Sequence, residues 1–211
     1  MGIDLSINFD FNRYEHVRGF AAMGARPSAV FDPKVTHLSA NNSFWVMGRN
    51  KNGDPVHFQA FRTCHMDEPF HIAGLRWFCS MHHIRGQTLE PKDYIVEETP
   101  LTRCIEGHTV YHGEIWMAPE LRSPTRRLGP IDVVMKLGML WAYLKWHPAC
   151  IWGISSDINL KQGAAARMGY SQAELSFVDW QKRPEGWGQV EGLAVARAGD
   201  LEHLIAVLTR V

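Results

Sequence analysis

A short arginine-rich segment stands directly before a predicted helix. Arg122, Arg126 and Arg127 fall within residues 122–129, and Pro130 then opens a stretch whose apolar residues recur at helical spacing. The first N–H groups of a helix lack intrahelical partners and carry the positive end of the helix dipole. Arginine guanidinium groups beside such an end suit phosphate, which they bind through charge-assisted hydrogen bonds. The segment therefore predicts an anion site for phosphate, unless the arginines only form a solvated turn.

The strand predicted upstream of that segment carries groups that can move a proton. If residues 108–117 form one continuous strand, His108, His112, Glu114 and Trp116 alternate along it and share a face. An imidazole or a carboxylate held beside a nucleophile can take up its proton. The same pattern also fits a half-exposed sheet surface, on which Glu114 would be a solvated or arginine-paired carboxylate. Both interpretations stay open at this point.

Histidines and cysteines concentrate between residues 57 and 112, which suggests a metal site as a different chemistry. Seven of the eleven histidines and three of the four cysteines lie there, but no C-x-x-C or H-E-x-x-H spacing is present. On a strand, His108 and His112 would lie ~13 Å apart, whereas His112 and Glu114, ~6.6 Å apart, could share one ion. Without a ligand pattern, histidines that line a polar cavity or cap loops are the better prediction. Metal binding is kept as an alternative.

The elements that would position these residues follow from periodicity and turn signals. Residues 43–49 and 56–62 alternate around Asn52-Gly53, which predicts a β-hairpin. Residues 1–40 receive no assignment, and residues 64–101 are predicted to form loops with short elements. The order of the elements indicates a mixed α/β or α+β domain with a central strand–helix–strand crossover. The other predicted elements are strands at 111–117, 150–154, 175–180 and 189–197, and helices at 130–146, 159–168 (closed by Gly169) and 200–208.

Length and composition limit the class of protein. The chain has 211 residues, of which 45% are hydrophobic and 21% charged, as in an ordinary globular domain. We predict one domain over residues 1–211. The 22 basic and 22 acidic side chains balance, which argues against a broad nucleic-acid surface. Four cysteines do not make a disulfide framework, and residues 1–11 are not typical of a signal peptide. The most apolar stretch is too short and too charged to span a bilayer. A soluble, cytoplasmic protein without nucleic-acid or membrane partners is expected.

The segment from the central strand onward resembles the GNAT-type N-acetyltransferases, which bind acyl-coenzyme A. Arg126-Arg127-Leu128-Gly129-Pro130-Ile131 stands where that family has its pyrophosphate loop. Downstream, a strand at 151–154, Asn159 at a helix start and Gly169-Tyr170 at its end match the family in order and spacing. The ordered combination is more specific than any one of these motifs. The resemblance covers residues 110–197 and implies a GNAT-like α/β fold, in which helices flank a mixed, mostly antiparallel sheet around a coenzyme-binding core.

The resemblance also implies an activity, the transfer of an acyl group from acetyl-CoA or another acyl-CoA to a small or peptidic amine. Glu114 is the first candidate for the base that takes the amine proton, and His112 is the second. Tyr170 is a candidate proton donor to the departing sulfur. The residues that the resemblance assigns to the coenzyme are Met117, Ala118, Arg122, Arg126, Arg127, Leu128, Gly129, Ile131 and Asn159.

A GNAT-fold protein that binds an acyl-CoA, a small ligand or a protein partner without catalysis is the alternative. Pro130 removes one N–H from the loop, and Ala165 stands where many members of the family have a tyrosine. Trp45, Phe58 and residues 67–78 could shape the acceptor pocket, although the two aromatic residues fit a plain core better. A homodimer is one assembly open to the protein, because dimers are the commonest assembly of soluble proteins.

Overall fold

In the part of the chain that the structure describes, eight β-strands form one sheet, and helices cover both of its faces. The computed structural model describes residues 2–20, 27–84, 89–122, 130–183 and 187–208. The strands are β1 (Asp4–Asn8), β2 (Ser43–Arg49), β3 (Pro55–Met66), β4 (Tyr94–Val96), β5 (Gly107–Met117), β6 (Cys150–Ser156), β7 (Gln172–Trp180) and β8 (Val190–Arg197). The helices are α1 (Phe11–Phe20), α2 (Phe70–Ile84), α3 (Pro130–Trp146), α4 (Asp157–Lys161), α5 (Ala164–Met168) and α6 (Ala198–Leu208).

Among the described strands, one pair is parallel. The strands of the sheet follow the order β1-β2-β3-β5-β6-β8-β7-β4, and all neighbours are antiparallel except β5 and β6. A parallel pair needs a crossover connection, which α3 provides between β5 and β6. The predicted mixed, mostly antiparallel sheet with a central strand–helix–strand crossover is therefore confirmed.

Each face of the sheet has its own hydrophobic core. On the face covered by α1 and α2, Phe70 lies edge-on to Trp152 of β6, with ring centroids 4.7 Å apart. On the opposite face, α3, α5 and α6 pack around Phe61 of β3. Trp45 and Phe58 are fully buried in the first of these cores, as the core interpretation of both residues predicts.

Most elements occur where the sequence predicts them, and two predictions are wrong. The β2–β3 hairpin, α3 and strands β5 to β8 are present with ends that differ by a few residues. Residues 70–84 form the helix α2 rather than loops with short elements. The helix predicted at 159–168 is two short helices, because Gly163 between them adopts a left-handed conformation with φ +76°.

The segment that received no assignment contains β1 and α1. Asp10 begins α1, since its carboxylate accepts hydrogen bonds from the backbone N–H groups of Asn12 and Arg13. No helix in the part of the chain that the structure describes is long and apolar enough to cross a membrane.

Candidate active site

The central parallel strand pair opens into a cleft. Residues 109–111 of β5 pair with residues 150–152 of β6, whereas residues 112–117 and 153–156, all of them described, are not paired with each other. The separated ends of the two strands border a cavity of about 250 Å³. In an open α/β sheet, such a crevice at the carboxyl ends of parallel strands is the usual place for a ligand. The cavity is lined by Ser28, Tyr111, His112, Gly113, Glu114, Ile115, Ile154, Ser155, Asn159, Met168 and Trp187.

Gly153 stands at the first open position of β6. A Cβ atom there would lie 2.8 Å from the carbonyl oxygen of His112 and 2.6 Å from the hydroxyl oxygen of Tyr170. Carbon atoms do not approach backbone oxygens this closely without displacement, so glycine allows β5 and Tyr170 to come near β6. An isolated glycine within a strand is a sequence signal for such an approach, and sequence reasoning did not use it.

A β-bulge in β5 reverses the side chains that follow His112. The pairing of β5 with β3 shifts here, so that Glu114 and Ile115 together oppose a single residue. Glu114 has φ 56°, a conformation that is uncommon for residues other than glycine. The prediction that the side chains from His108 to Trp116 share one face is therefore wrong. Glu114 lies on the α1 side of the sheet and His112 on the α3 side.

The Glu114 carboxylate is anchored by three groups on the α1 side. Its Oε2 accepts a hydrogen bond from the hydroxyl of Tyr14 at 2.8 Å and pairs with Nε of Arg18 at 2.8 Å. Its Oε1 accepts a hydrogen bond from the backbone N–H of Ser28 at 2.7 Å. The side chains of Arg18 and Glu114 are only 11% and 5% exposed, so water screens this ion pair weakly. The contacts tie α1 and the backbone at Ser28 to the strand that borders the cleft.

His112 and Tyr170 form a buried pair on the α3 side. Nδ1 of His112 lies 2.8 Å from the hydroxyl oxygen of Tyr170, and the imidazole stacks on Phe61 with ring centroids 4.3 Å apart. Burial, with a smaller contribution from the nearby His57, lowers the pKa of His112 to about 3. Burial also raises the pKa of Tyr170 well above its ordinary value. Both groups are therefore neutral near pH 7, and they meet where β5 and β6 separate.

The end of β5 presents backbone groups and an arginine toward the open side. The N–H of Ala118 donates to the carbonyl of Val56 in β3 at 2.9 Å. Backbone groups alternate in direction along a strand, so the N–H and C=O of Met117 point away from β3, toward the side that β6 has left. The guanidinium Nε of Arg122 donates to this Met117 carbonyl at 2.6 Å. Arg122 is therefore held at the carboxyl end of β5.

The other residues assigned to the coenzyme are described to different extents. Asn159 lines the cleft and is exposed, but it does not begin the helix: α4 starts at Asp157, and Ser156 caps it. Ile131 belongs to the first turn of α3. Arg126, Arg127, Leu128 and Gly129 lie outside the described residues.

The structure does not assemble the metal site considered from the sequence. His112 and Glu114 point to opposite faces of the sheet, so the predicted possibility that they share an ion is wrong. Within the described ranges, no group of three or more His, Cys, Asp or Glu side chains is placed to hold a metal ion.

Sequence reasoning missed the groups that reach the cleft from distant parts of the chain. Tyr14 and Arg18 come from α1, and Ser28 follows that helix. Trp187, before β8, lines the cleft and packs edge-on against Phe78 of α2 with ring centroids 4.8 Å apart. No local spacing links these residues to Glu114 or His112, because only the sheet order brings them together.

Comparison with known proteins gives a likeness in structure alone. No protein-family model matches the chain, and no curated protein matches it in sequence. The N-acyl amino acid synthase FeeM from uncultured soil microbes is similar with a TM-score of 0.51 and 11% identity, over 98% of this chain and 97% of that one. A chimeric spermidine N-acetyltransferase from Vibrio cholerae and hSSAT is similar with a TM-score of 0.51 and 7% identity, over 96% of this chain and 99% of that one. The chain therefore has the fold of the GNAT-type acyl-CoA N-acyltransferases.

Proposed function

We propose that the protein transfers an acyl group from an acyl-CoA to an amine. The observation that carries the proposal is the cleft where β5 and β6 separate, with the neutral His112–Tyr170 pair at its apex. The likeness to an N-acyl amino acid synthase and a spermidine N-acetyltransferase supports the same class of reaction.

The described residues of the cleft fit an acyl-CoA. The coenzyme supplies the acyl group as an activated thioester. The backbone N–H of Met117 points to the open side of β5, where it can donate to the thioester carbonyl and stabilise the oxyanion. Arg122, held on the Met117 carbonyl, offers a positive charge to phosphate at the cleft mouth. Asn159 lies on the opposite wall and can donate to the pantetheine chain.

His112 and Tyr170 are the groups that we assign to proton movement. In the reaction, a C–N bond forms as the C–S bond breaks, the amine gives up one proton, and the departing sulfur takes one. The hydroxyl of Tyr170 can pass a proton while Nδ1 of His112 holds its hydrogen bond, so the pair need not keep a net charge. Glu114, whose carboxylate already has three partners, is assigned to anchoring the cleft wall rather than to taking the proton.

Binding without turnover is the second candidate function. Burial opposes a charge on His112 and on Tyr170, which would slow any step that leaves either group ionised. A protein of this kind would take up an acyl-CoA in the same cleft and present it or retain it.

The first experiment is isothermal titration of the protein with acetyl-CoA and with CoA. We expect saturable binding that weakens about tenfold in Arg122→Ala, as for the loss of one charged hydrogen bond. Arg103→Ala is the matched control, because Arg103 is also exposed but pairs with Glu98 and lies before the amino-terminal end of β5. Release of free thiol is then followed with a panel of small amines and amino-terminal peptides.

The two readouts separate the candidates. Thiol release that depends on the amine supports the transferase, whereas binding without release supports the second function. The absence of binding by acetyl-CoA and CoA at millimolar concentration would contradict both, since the fold would then serve a different ligand.

A further inference from the structure

Three buried polar side chains lie in a row beneath α3. His57 and Gln59 occupy alternate positions of β3 and so face the same side of the sheet, while His112 comes from the neighbouring strand β5. Each of the three residues is at most 1% exposed. α3 covers Gln59, and its Gly138 approaches Gln59 so closely that a Cβ there would lie 2.5 Å from the side-chain nitrogen.

Each side chain uses one polar atom in a hydrogen bond and leaves the other without a protein partner. Nδ1 of His57 lies 3.0 Å from the carbonyl of Trp116, and Nε2 of Gln59 donates to the carbonyl of Val134 in α3 at 2.9 Å. Nδ1 of His112 meets Tyr170. Among the described residues, Nε2 of His57, Oε1 of Gln59 and Nε2 of His112 have no hydrogen-bond partner.

The hydrogen bonds of His57 and Gln59 determine that the other polar atom of each side chain is a hydrogen-bond acceptor. A carbonyl oxygen only accepts, so His57 must donate to Trp116 from Nδ1. Burial lowers the pKa of His57 to about 4, so the ring is neutral near pH 7 and its Nε2 is an acceptor. The amide nitrogen of Gln59 is directed to α3, which leaves its oxygen as a second acceptor. Two acceptors therefore face the space on the α3 side of the sheet that His112 shares.

A hydrogen on Nε2 of His112 complements these two acceptors. His112 pairs with Phe61 across β3 and β5, so Gln59 is its diagonal cross-strand neighbour, and long side chains at such positions are within reach of each other. If the hydrogen were instead on Nδ1, three buried acceptors would have only the second N–H of the Gln59 amide as a donor, which is unfavourable. With the hydrogen on Nε2, Nδ1 of His112 accepts from Tyr170.

We propose that Gln59 and His57 are positioning residues that hold His112 in its Nε2–H form, so that the hydroxyl of Tyr170 donates to Nδ1. This role rests on the proposed acyl transfer. When the hydroxyl of Tyr170 donates its hydrogen to His112, the lone pairs of the Tyr170 oxygen are directed toward Gly153 and the cleft. Packing alone does not require the row. Buried polar atoms without partners lower stability, and apolar side chains of similar shape would be tolerated or preferred.

The ring form is measured directly by nitrogen NMR of the protein labelled at histidine. We expect His112, identified by comparison with His112→Phe, to carry its hydrogen on Nε2 at pH 7. In Gln59→Met we expect a mixture of both ring forms. Thr109→Val is the control, since Thr109 is a buried polar residue bonded to Cys64 and Trp152 outside the row, and it should leave His112 unchanged. A hydrogen on Nδ1 of His112 in the wild type would overturn the proposal.

Stability and kinetics test the role independently. Gln59→Met should keep or raise the melting temperature and lower kcat about tenfold, with little change in KM for the amine. A lower melting temperature with unchanged kcat would make Gln59 a packing residue and overturn the proposal. If the wild-type protein transfers no acyl group to any amine, the proposed function fails, and the NMR result still decides whether Gln59 and His57 hold His112.

Discussion

At Glu114 the backbone and the side chain both depart from what a strand normally does. The φ of 56° is unfavourable for a residue with a Cβ, and the carboxylate is almost fully buried beside Arg18. Such a conformation persists only where the surrounding contacts hold it. Tyr14, Arg18 and Ser28 supply those contacts, so the strain and the ion pair act together to fix the bulge that borders the cleft.

We predict that Glu114 contributes to the stability of the protein and does not serve as the catalytic base. Glu114→Ala should lower the free energy of unfolding by about 3–5 kcal/mol, because it leaves the Arg18 guanidinium buried without its carboxylate. Arg18→Met combined with Glu114→Met should recover part of this loss, since an apolar pair can replace a buried ion pair. Urea unfolding of the single and double variants measures both. A Glu114→Ala variant within about 0.5 kcal/mol of the wild type, yet inactive, would instead identify a base.

Sequence reasoning found the residues of the cleft better than it found their orientation. His112, Glu114 and Tyr170 were all selected from the sequence, and the structure brings His112 and Tyr170 into contact. The side of the sheet on which Glu114 lies could not be predicted, because a one-residue bulge reverses the alternation of every side chain after it. Arg18, the counter-ion of Glu114, is equally out of reach of local pattern, since it lies on a helix that the sequence did not indicate.

At the scale of elements, turn residues and periodicity predicted the helices and strands that depend on short-range interactions. The hairpin follows from alternation around an Asn-Gly turn, and α3 from Pro130 and a 17-residue apolar periodicity. α2 was missed although apolar residues recur at helical spacing after Pro69, because its histidines obscured the pattern. Burial of its apolar side chains against the sheet stabilises this helix, and a sequence alone does not show that contact.

Two glycine substitutions test whether the left-handed conformation of Gly163 separates α4 from α5. Gly163 has φ +76° and no heavy atom within 4 Å of the position that a Cβ would take, so Gly163→Ala should cost about 1 kcal/mol through backbone strain alone. Gly199 in α6 has equal space and no positive φ, so Gly199→Ala should stabilise the protein by about 0.4–1 kcal/mol. Thermal unfolding of both variants measures the difference. Equal effects of the same sign would show that φ at Gly163 does not direct the break.

At the scale of the whole molecule, the sheet order decides what the cleft contains. β5 lies between β3 and β6, so α1 and α2 reach the cleft from one face and α3 with Tyr170 from the other. This order joins residues that are 58 to 100 positions apart, such as His112 with Tyr170 and Tyr14 with Glu114. The order of the predicted elements supplied the class of fold and the central crossover, whereas the mostly antiparallel sheet and its coenzyme-binding core came from the resemblance to a known family.

The same burial makes the stability of the whole protein depend on pH. The pKa of His57 is lowered to about 4 and that of His112 to about 3, against an ordinary value of 6.5. Below pH 6.5 these two imidazoles bind protons in the unfolded chain but not in the folded protein. The free energy of unfolding therefore has its full value above that pH and falls on acidification. Each histidine contributes a loss of about 1.4 kcal/mol per pH unit between roughly pH 6 and its folded pKa.

We therefore expect the free energy of unfolding to fall steeply between about pH 7 and pH 5, and His57→Phe to remove about 2 kcal/mol of that fall. The measurement is urea unfolding at both pH values. His108→Gln is the control for replacing a histidine of the same sheet, because the side chain of His108 is exposed. An unaltered slope in His57→Phe would mean that His57 takes up its proton in the folded protein. Its Nε2 would then be a donor, and the hydrogen-bond order inferred beneath α3 would have to be reversed.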